Sequence, residues 1–118
     1  MAKFILMEWL WSWLLNTPIF EFEWDKGNSL KNFVKHKVTR QEVEEVFIGR
    51  QAIPLGKQME LEASEDRYGI IGPTWHERLL TIIFTFRNKK VRAISSRSAS
   101  KKERKTYDKV RKITKRIQ

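Results

Sequence analysis

Two stretches gather side chains able to act on a charged substrate. In VRAISSRSASKKERKTYDK, residues 91–109, the candidates are Arg92, Arg97, Arg104 and Tyr107. Guanidinium groups stay charged and donate in a rigid fork, which suits phosphate. Tyr107 offers a stacking surface or a phenolic proton donor. In FEFEWDKGNSLKNFVKHKV, residues 20–38, Trp24 offers a ring for a base, Lys26 a cation and His36 a proton carrier near neutral pH. Each also has a plainer role. Arg92 and Arg97 serve equally as edge charges, Tyr107 as a helix anchor and Trp24 as core. His36 near a helix end is favoured by the helix dipole when protonated. Residue type and spacing leave both roles open.

Other chemistries find little support. His36 and His76 are far apart, neither belongs to H-E-x-x-H, and no carboxylate spacing matches a calcium or two-metal site. The acidic stretch 60–66 is expected as a solvated loop. The glycines 27, 49, 56, 69 and 72 are scattered and form no phosphate-cradling loop, and no nucleophile elbow is present. The chain has no cysteine, which removes thiolates as nucleophiles or ligands and fits a reducing cytosol. No cofactor and no metal are expected.

Charge points to a partner. The 118 residues carry a net charge of +10, unevenly placed. From Arg87 onward there are fourteen Lys/Arg against Glu103 and Asp108, whereas the preceding residues hold ten Lys/Arg and twelve Asp/Glu. A basic last third on a near-neutral body suits a polyanion: nucleic acid, an anionic membrane or an acidic protein. With 41% hydrophobic residues the chain has enough apolar side chains for one modest core.

These residues need elements to position them. Ile19–Trp24 alternates apolar and acidic residues and predicts a half-buried strand. Asp25 or Asn28 then caps a helix that carries Leu30, Phe33 and Val34 on one face and ends near His36. Thr39-Arg40-Gln41-Glu42 is a capping box opening a second helix that stops near Gly49. Residues 52–55 and 59–61 are expected as short strands around Pro54-Leu55-Gly56. Arg67–Gly72, Arg78–Phe86 and Val91–Ser96 are expected as an antiparallel meander with Leu79–Phe84 central. Alternation would put Arg92, Ile94 and Ser96 on one face and Val91, Ala93 and Ser95 on the other, with Arg97 leaving the strand end. A basic helix follows, on which Arg104 and Tyr107 face the same region three residues apart. The order β-α-α-β-β-β-α describes a small α+β domain with helices packed against an antiparallel sheet.

The first eighteen residues stand apart. MAKFILMEWLWSWLLNTP is an apolar, Trp-rich tract, and Asn16-Thr17-Pro18 reads as a boundary to a domain over residues 19–118. Its apolar run falls short of the roughly twenty residues of a spanning helix, and it lacks an A-x-A site. It is expected as an amphipathic appendage, a membrane-surface anchor, or residues upstream of the true start codon.

Several segments occur in an order that resembles a known family. FEWDKGNSLKNFVKHKVT, QEVEEVF, EDRYGIIG and RLLTIIFTFRNKKVRAISSRSASKKERKTYDK are similar, over residues 20–109, to the BrnT toxins. These are ribonuclease toxins of type II toxin–antitoxin modules with a RelE-like fold. The family ends in I-S-A-R followed by a basic E-R-x-x-Y helix start. This chain has Ile94-Ser95-Ser96-Arg97 and then Glu103-Arg104-Lys105-Thr106-Tyr107, with Ser96 replacing the usual Ala. Residues 1–18 are an extension that the resemblance does not explain.

The resemblance implies endonucleolytic cleavage of RNA, with translation inhibited, in the cytoplasm and without a metal. The RNA 2′-hydroxyl would attack the adjacent phosphate while cationic side chains stabilise the growing charge. It makes Arg67, Arg92 and Arg97 the electrostatic candidates, with Lys26 and Arg104 as RNA contacts. His36 and Tyr107 become the proton-handling candidates, and Trp24 supports its strand or stacks a base. It also implies a BrnA-like antitoxin with a ribbon-helix-helix domain, which takes the pair to promoter DNA. Two other readings stand beside it. One is a non-catalytic RNA- or DNA-binding module with the same fold, and the other is membrane-surface association through residues 1–18 and the basic helix.

Overall fold

The computed structural model describes residues 3–28, 36–59 and 65–117. In chain order these contain β1 (Phe4–Ile5), α1 (Glu8–Asn16), α2 (Arg40–Ile48), β2 (Ile53–Gln58), β3 (Tyr68–Pro73), β4 (Leu79–Arg87), β5 (Lys90–Ser98) and α3 (Lys101–Ile117). The strands form one five-stranded antiparallel sheet in sequential order; short turns dictate the β3–β5 meander, whereas residues 6–52 separate β1 from β2. The molecule is thus α+β, with its helices segregated from the sheet. Among the described residues no helix is long and apolar enough to cross a membrane.

The capping box at α2 forms as its sequence requires. The Thr39 hydroxyl accepts from the Glu42 amide at 3.1 Å, and the Glu42 carboxylate accepts from the Thr39 amide at 3.0 Å. Val43, Val46 and Phe47 then face the sheet, where they meet Ile70, Leu80, Ile82 and Phe84 in the main core.

The first residues are part of this architecture. β1 adds a strand to the edge of β2, pairing Phe4 with Gln58 and Ile5 with Lys57. Leu10 and Leu14 of α1 are buried in the main core, each burial stabilising by about 1.5–3 kcal/mol. Trp13 lies against Phe20, Phe47, Phe84 and Phe86, with ring centroids 5.0–6.1 Å apart. Trp11 packs against a second cluster instead, formed by Ile53, Ile71, Leu79 and Ala99.

Three expectations need correction. Ile19–Trp24 is not a regular strand: Phe22 makes a single parallel bridge to Val91, with two backbone hydrogen bonds of 2.8 Å. The alternation still sends Phe20 and Phe22 inward and leaves Glu21 exposed. Pairing stops because the chain turns at Asp25, whose carboxylate caps the Asn28 amide at 3.1 Å. The helix expected there begins at Lys26–Asn28, and residues 29–35 lie outside the described residues. Residues 53–58 form one strand through Pro54 and Gly56, because a register shift there absorbs the missing Pro54 donor and the positive φ of Gly56, 122°. Residues 60 and 61, the end of the second short strand expected there, lie outside the described residues, as does most of the acidic stretch.

The third correction matters for function. A bulge makes Ala93 and Ser95 face Phe84 and Ile83, so Ile94 is an extra residue in β5. The face pattern reverses after it. Ser96 joins Val91 and Ala93 on the core side opposite Ile82, while Arg92, Ser95 and Arg97 lie opposite Thr85, Ile83 and Thr81 on the other face. Arg97 stays within the strand rather than leaving its end.

Candidate active site

The face of the sheet opposite α2 is only partly covered. Tyr107 and Val110 of α3 pack over Ile53, Ile71, Leu79 and Ala99. The first turn of α3 reaches the neighbouring part of this face through Glu103. There the sheet leaves a cleft of about 320 Å³, walled by Phe4, Gln58, Arg67, Thr81, Ile83, Ile94, Ser95, Arg97 and Glu103.

Arg97 and Glu103 form its centre. Arg97 donates from Nη1 to Oε1 at 2.7 Å and from Nη2 to Oε2 at 2.9 Å, a fork that fixes the guanidinium plane. Glu103 also accepts from the Ser100 amide at 2.7 Å, and its own amide donates to the Ser100 hydroxyl at 3.2 Å. These are the reciprocal bonds of a capping box, so one carboxylate starts α3 and orients Arg97. Burial alone would raise the Glu103 carboxyl, but Arg97 and the Ser100 amide outweigh it and hold the group at about 2. The carboxylate in turn keeps Arg97 above its ordinary value.

Arg67 enters the cleft from the residue before β3. Its Nε is buried and has no hydrogen-bond partner among the described residues. A buried guanidinium donor without an acceptor is costly, so this nitrogen does not favour the fold, while the rest of the half-buried side chain lines the cleft.

The other sequence candidates lie elsewhere. Arg92 shares the sheet face but is consumed by Asp25 at 2.8 Å and Glu23 at 3.2 Å, which tie the segment before the turn to β5. Its hydrogen bond holds the Asp25 carboxyl below the usual value. Tyr107 donates its hydroxyl to the Gln51 carbonyl at 2.9 Å, and burial raises its phenol. Arg104, one position past Glu103, is exposed and does not line the cleft. Trp24 donates from Nε1 to Glu44 at 2.7 Å under Arg40, half-buried against the main core. Lys26 is exposed at the first helical position after Asp25, and the His36 carbonyl accepts from Arg78 Nη2 at 3.1 Å. The site therefore unites Arg67 and Arg97 and separates them from the remaining six.

Residue pattern passed over several participants. Glu103 had a signal, the S-x-x-E spacing from Ser100 that places it in the first turn of a helix. Thr81 and Ser95 become cleft residues only through strand register, and Phe4 only through edge pairing. Arg78 is a structural hub: it binds Glu42 at 3.1 Å, the Lys37 carbonyl at 2.9 Å and the Ser98 hydroxyl at 3.2 Å. Among the described residues no group of His, Cys, Asp and Glu is arranged to hold a metal ion.

Comparison with known proteins gives two positive findings. A family model described as "Ribonuclease toxin, BrnT, of type II toxin-antitoxin system" matches residues 24–103, a span that includes Arg67, Arg97 and Glu103. Among solved structures, the chain is similar to the Brucella abortus ribonuclease toxin BrnT at 21% identity and a TM-score of 0.50. That likeness covers 70% of this chain and 100% of the Brucella chain, and it bears on the fold alone. No curated protein matches the sequence.

Proposed function

The chain belongs to the BrnT family of ribonuclease toxins of type II toxin–antitoxin systems, and we propose that it cleaves RNA endonucleolytically in the cleft of Arg67, Arg97 and Glu103. The observation that carries this reading is the convergence of Arg67 and Arg97 on one cleft, with Glu103 fixing the Arg97 guanidinium. One phosphodiester oxygen takes the cleft-facing N–H groups of Arg67, and a second oxygen takes the outer N–H groups of Arg97. Arginine suits both contacts because its charge persists and its donors are coplanar.

The reaction is the attack of a 2′-hydroxyl on the adjacent phosphorus. The P–O2′ bond forms, the P–O5′ bond breaks, and a 2′,3′-cyclic phosphate and a 5′-hydroxyl result. Glu103 accepts the 2′-hydroxyl proton, and water at the cleft mouth protonates the departing 5′-oxygen. Paired with Arg97, the Glu103 carboxylate is ionised but weakly basic. Phosphate bound at Arg97 competes with that pairing and returns basicity to Glu103 where it is needed. Arg67 and Arg97 stabilise the charge that grows on the phosphate oxygens. No step needs a metal. His36 and Tyr107 take no proton-transfer role in this scheme, since the Tyr107 hydroxyl is engaged by Gln51 and neither lines the cleft.

The biological reading follows the family. Cleavage of RNA inhibits translation in the cytoplasm, and a BrnA-like ribbon-helix-helix antitoxin neutralises the toxin and carries it to promoter DNA. An acidic antitoxin segment over the cleft would use the same charge complementarity as RNA. The antiparallel meander flanked by helices supports a RelE-like fold.

Incubating the purified protein with a defined RNA in EDTA tests this reading. Fragments ending in 2′,3′-cyclic phosphate, absent with Glu103→Gln of unchanged circular dichroism, are expected. Intact RNA that remains bound would overturn the enzyme and leave a binding module.

A further inference from the structure

The cleft wall includes a residue outside the span matched by the family, and its surroundings are shaped to receive it. Phe4 pairs with Gln58 at the β2 edge, and the Met59 amide extends the ladder to the Lys3 carbonyl at 2.8 Å. The Ile5 backbone crosses Gly56 so closely that a Cβ there would stand 2.1 Å from the Ile5 carbonyl oxygen. The Phe4 ring lies over Gly69, where a Cβ would meet Cε1 at 2.7 Å and Cζ at 3.0 Å. Two glycines thus make room for this short strand and its ring. Leu10 and Leu14, buried in the main core, anchor the chain just beyond it.

One side of the ring rests on the sheet, yet Phe4 is only half-buried and lines the cleft with Arg67 and Arg97. An aromatic surface beside two phosphate-binding cations is the composition of a nucleotide site: the cations take the backbone and the ring takes a base. We propose that Phe4 forms a nucleobase-stacking subsite, by which the N-terminal segment positions the nucleotide next to the phosphate held by Arg67 and Arg97. This rests on the RNA-cleaving reading for its choice of ligand. Phe4 touches the base and not the reacting atoms, so it governs binding rather than the chemical step.

The test uses the full chain and a five-nucleotide RNA, 2′-O-methylated throughout against cleavage, with 2-aminopurine as reporter. Phe4→Leu keeps an apolar contact over Gly69, and Phe4→Tyr keeps the aromatic surface; melting temperatures confirm that both fold. Phe4→Leu is expected to weaken oligonucleotide binding by roughly 10- to 100-fold, to lessen 2-aminopurine quenching, and to raise KM for cleavable RNA with kcat little changed. Phe4→Tyr is expected to match the parent protein. Equal affinity of Phe4→Leu and the parent would overturn the subsite while leaving the cleavage reading intact. Phe4-dependent binding without cleavage would support the subsite and overturn the enzyme. A parent protein that binds no oligonucleotide would overturn both.

Discussion

The two ends of β5 each present an arginine on the same sheet face, opposite Thr85 and Thr81 and so about 13 Å apart at the usual strand rise, and the two do different work. Among the described residues Arg92 pairs with Glu23 and Asp25, and Arg87 joins the same network through Glu23 and pairs with Glu65 beyond it, three carboxylates to two cations. Around Arg97 the described residues place a second arginine, Arg67, and one carboxylate, Glu103. An added anion meets surplus carboxylate at the first end and surplus guanidinium at the second. The lesson is that residue type and face do not make a phosphate site. What decides is whether the protein has already supplied the acceptors.

The contrast can be broken by exchanging the consequences of the two arginines. Arg97→Ala should lower RNA cleavage by about 10²–10³-fold in protein whose circular dichroism is retained. Arg92→Ala should instead lower the melting temperature, by about 5 °C, because Glu23 and Asp25 lose the cation that ties them to β5. Its cleavage rate per folded molecule should match the parent; a loss comparable to that of Arg97→Ala would erase the distinction.

Acid titration sharpens the comparison with a smaller effect. Glu103 titrates at about 2 in the folded protein against an ordinary value of 4.5. A depressed folded value means that its stabilisation is present above 4.5 and fades as pH falls towards 2. The melting temperature of the parent should therefore fall through this window by more than that of Glu103→Gln. Parallel curves would show that the pair with Arg97 contributes nothing. Smallest is Trp24→Phe, which removes the hydrogen bond to Glu44, should cost about 1 kcal/mol in denaturant unfolding, and should leave cleavage unchanged. Impaired cleavage there would return Trp24 to the RNA surface.

Local chemistry made much of the fold legible. The Thr39–Glu42 box, the apolar run at residues 79–84 and the short turns defined α2 and the β3–β5 meander because each signal lies within a few residues. The bulge at Ile94 was not legible, since it depends on a partner strand, and it decided which β5 side chains share the cleft. Trp9, Trp11 and Trp13 gave no strand or helix face in sequence. Their order comes from contacts with Tyr68, Phe84 and the β2 edge, which are distant in the chain. At the site, Arg97 was visible through the Ile94–Arg97 motif, and the family resemblance brought in Arg67. Their union needed the sheet, and the missing acceptor at Arg67 is a property of packing alone.

That missing acceptor supplies the most direct test. Arg67→Met keeps the apolar stem and removes the buried, unpartnered donor. Melting temperature and RNA cleavage should be measured on the same preparation. Removing an unpaired buried donor should leave the melting temperature unchanged or higher, while cleavage falls by about 100-fold or more. A lower melting temperature with cleavage retained would contradict the account, because it would make Arg67 a structural residue and leave Arg97 with no partner for the phosphate.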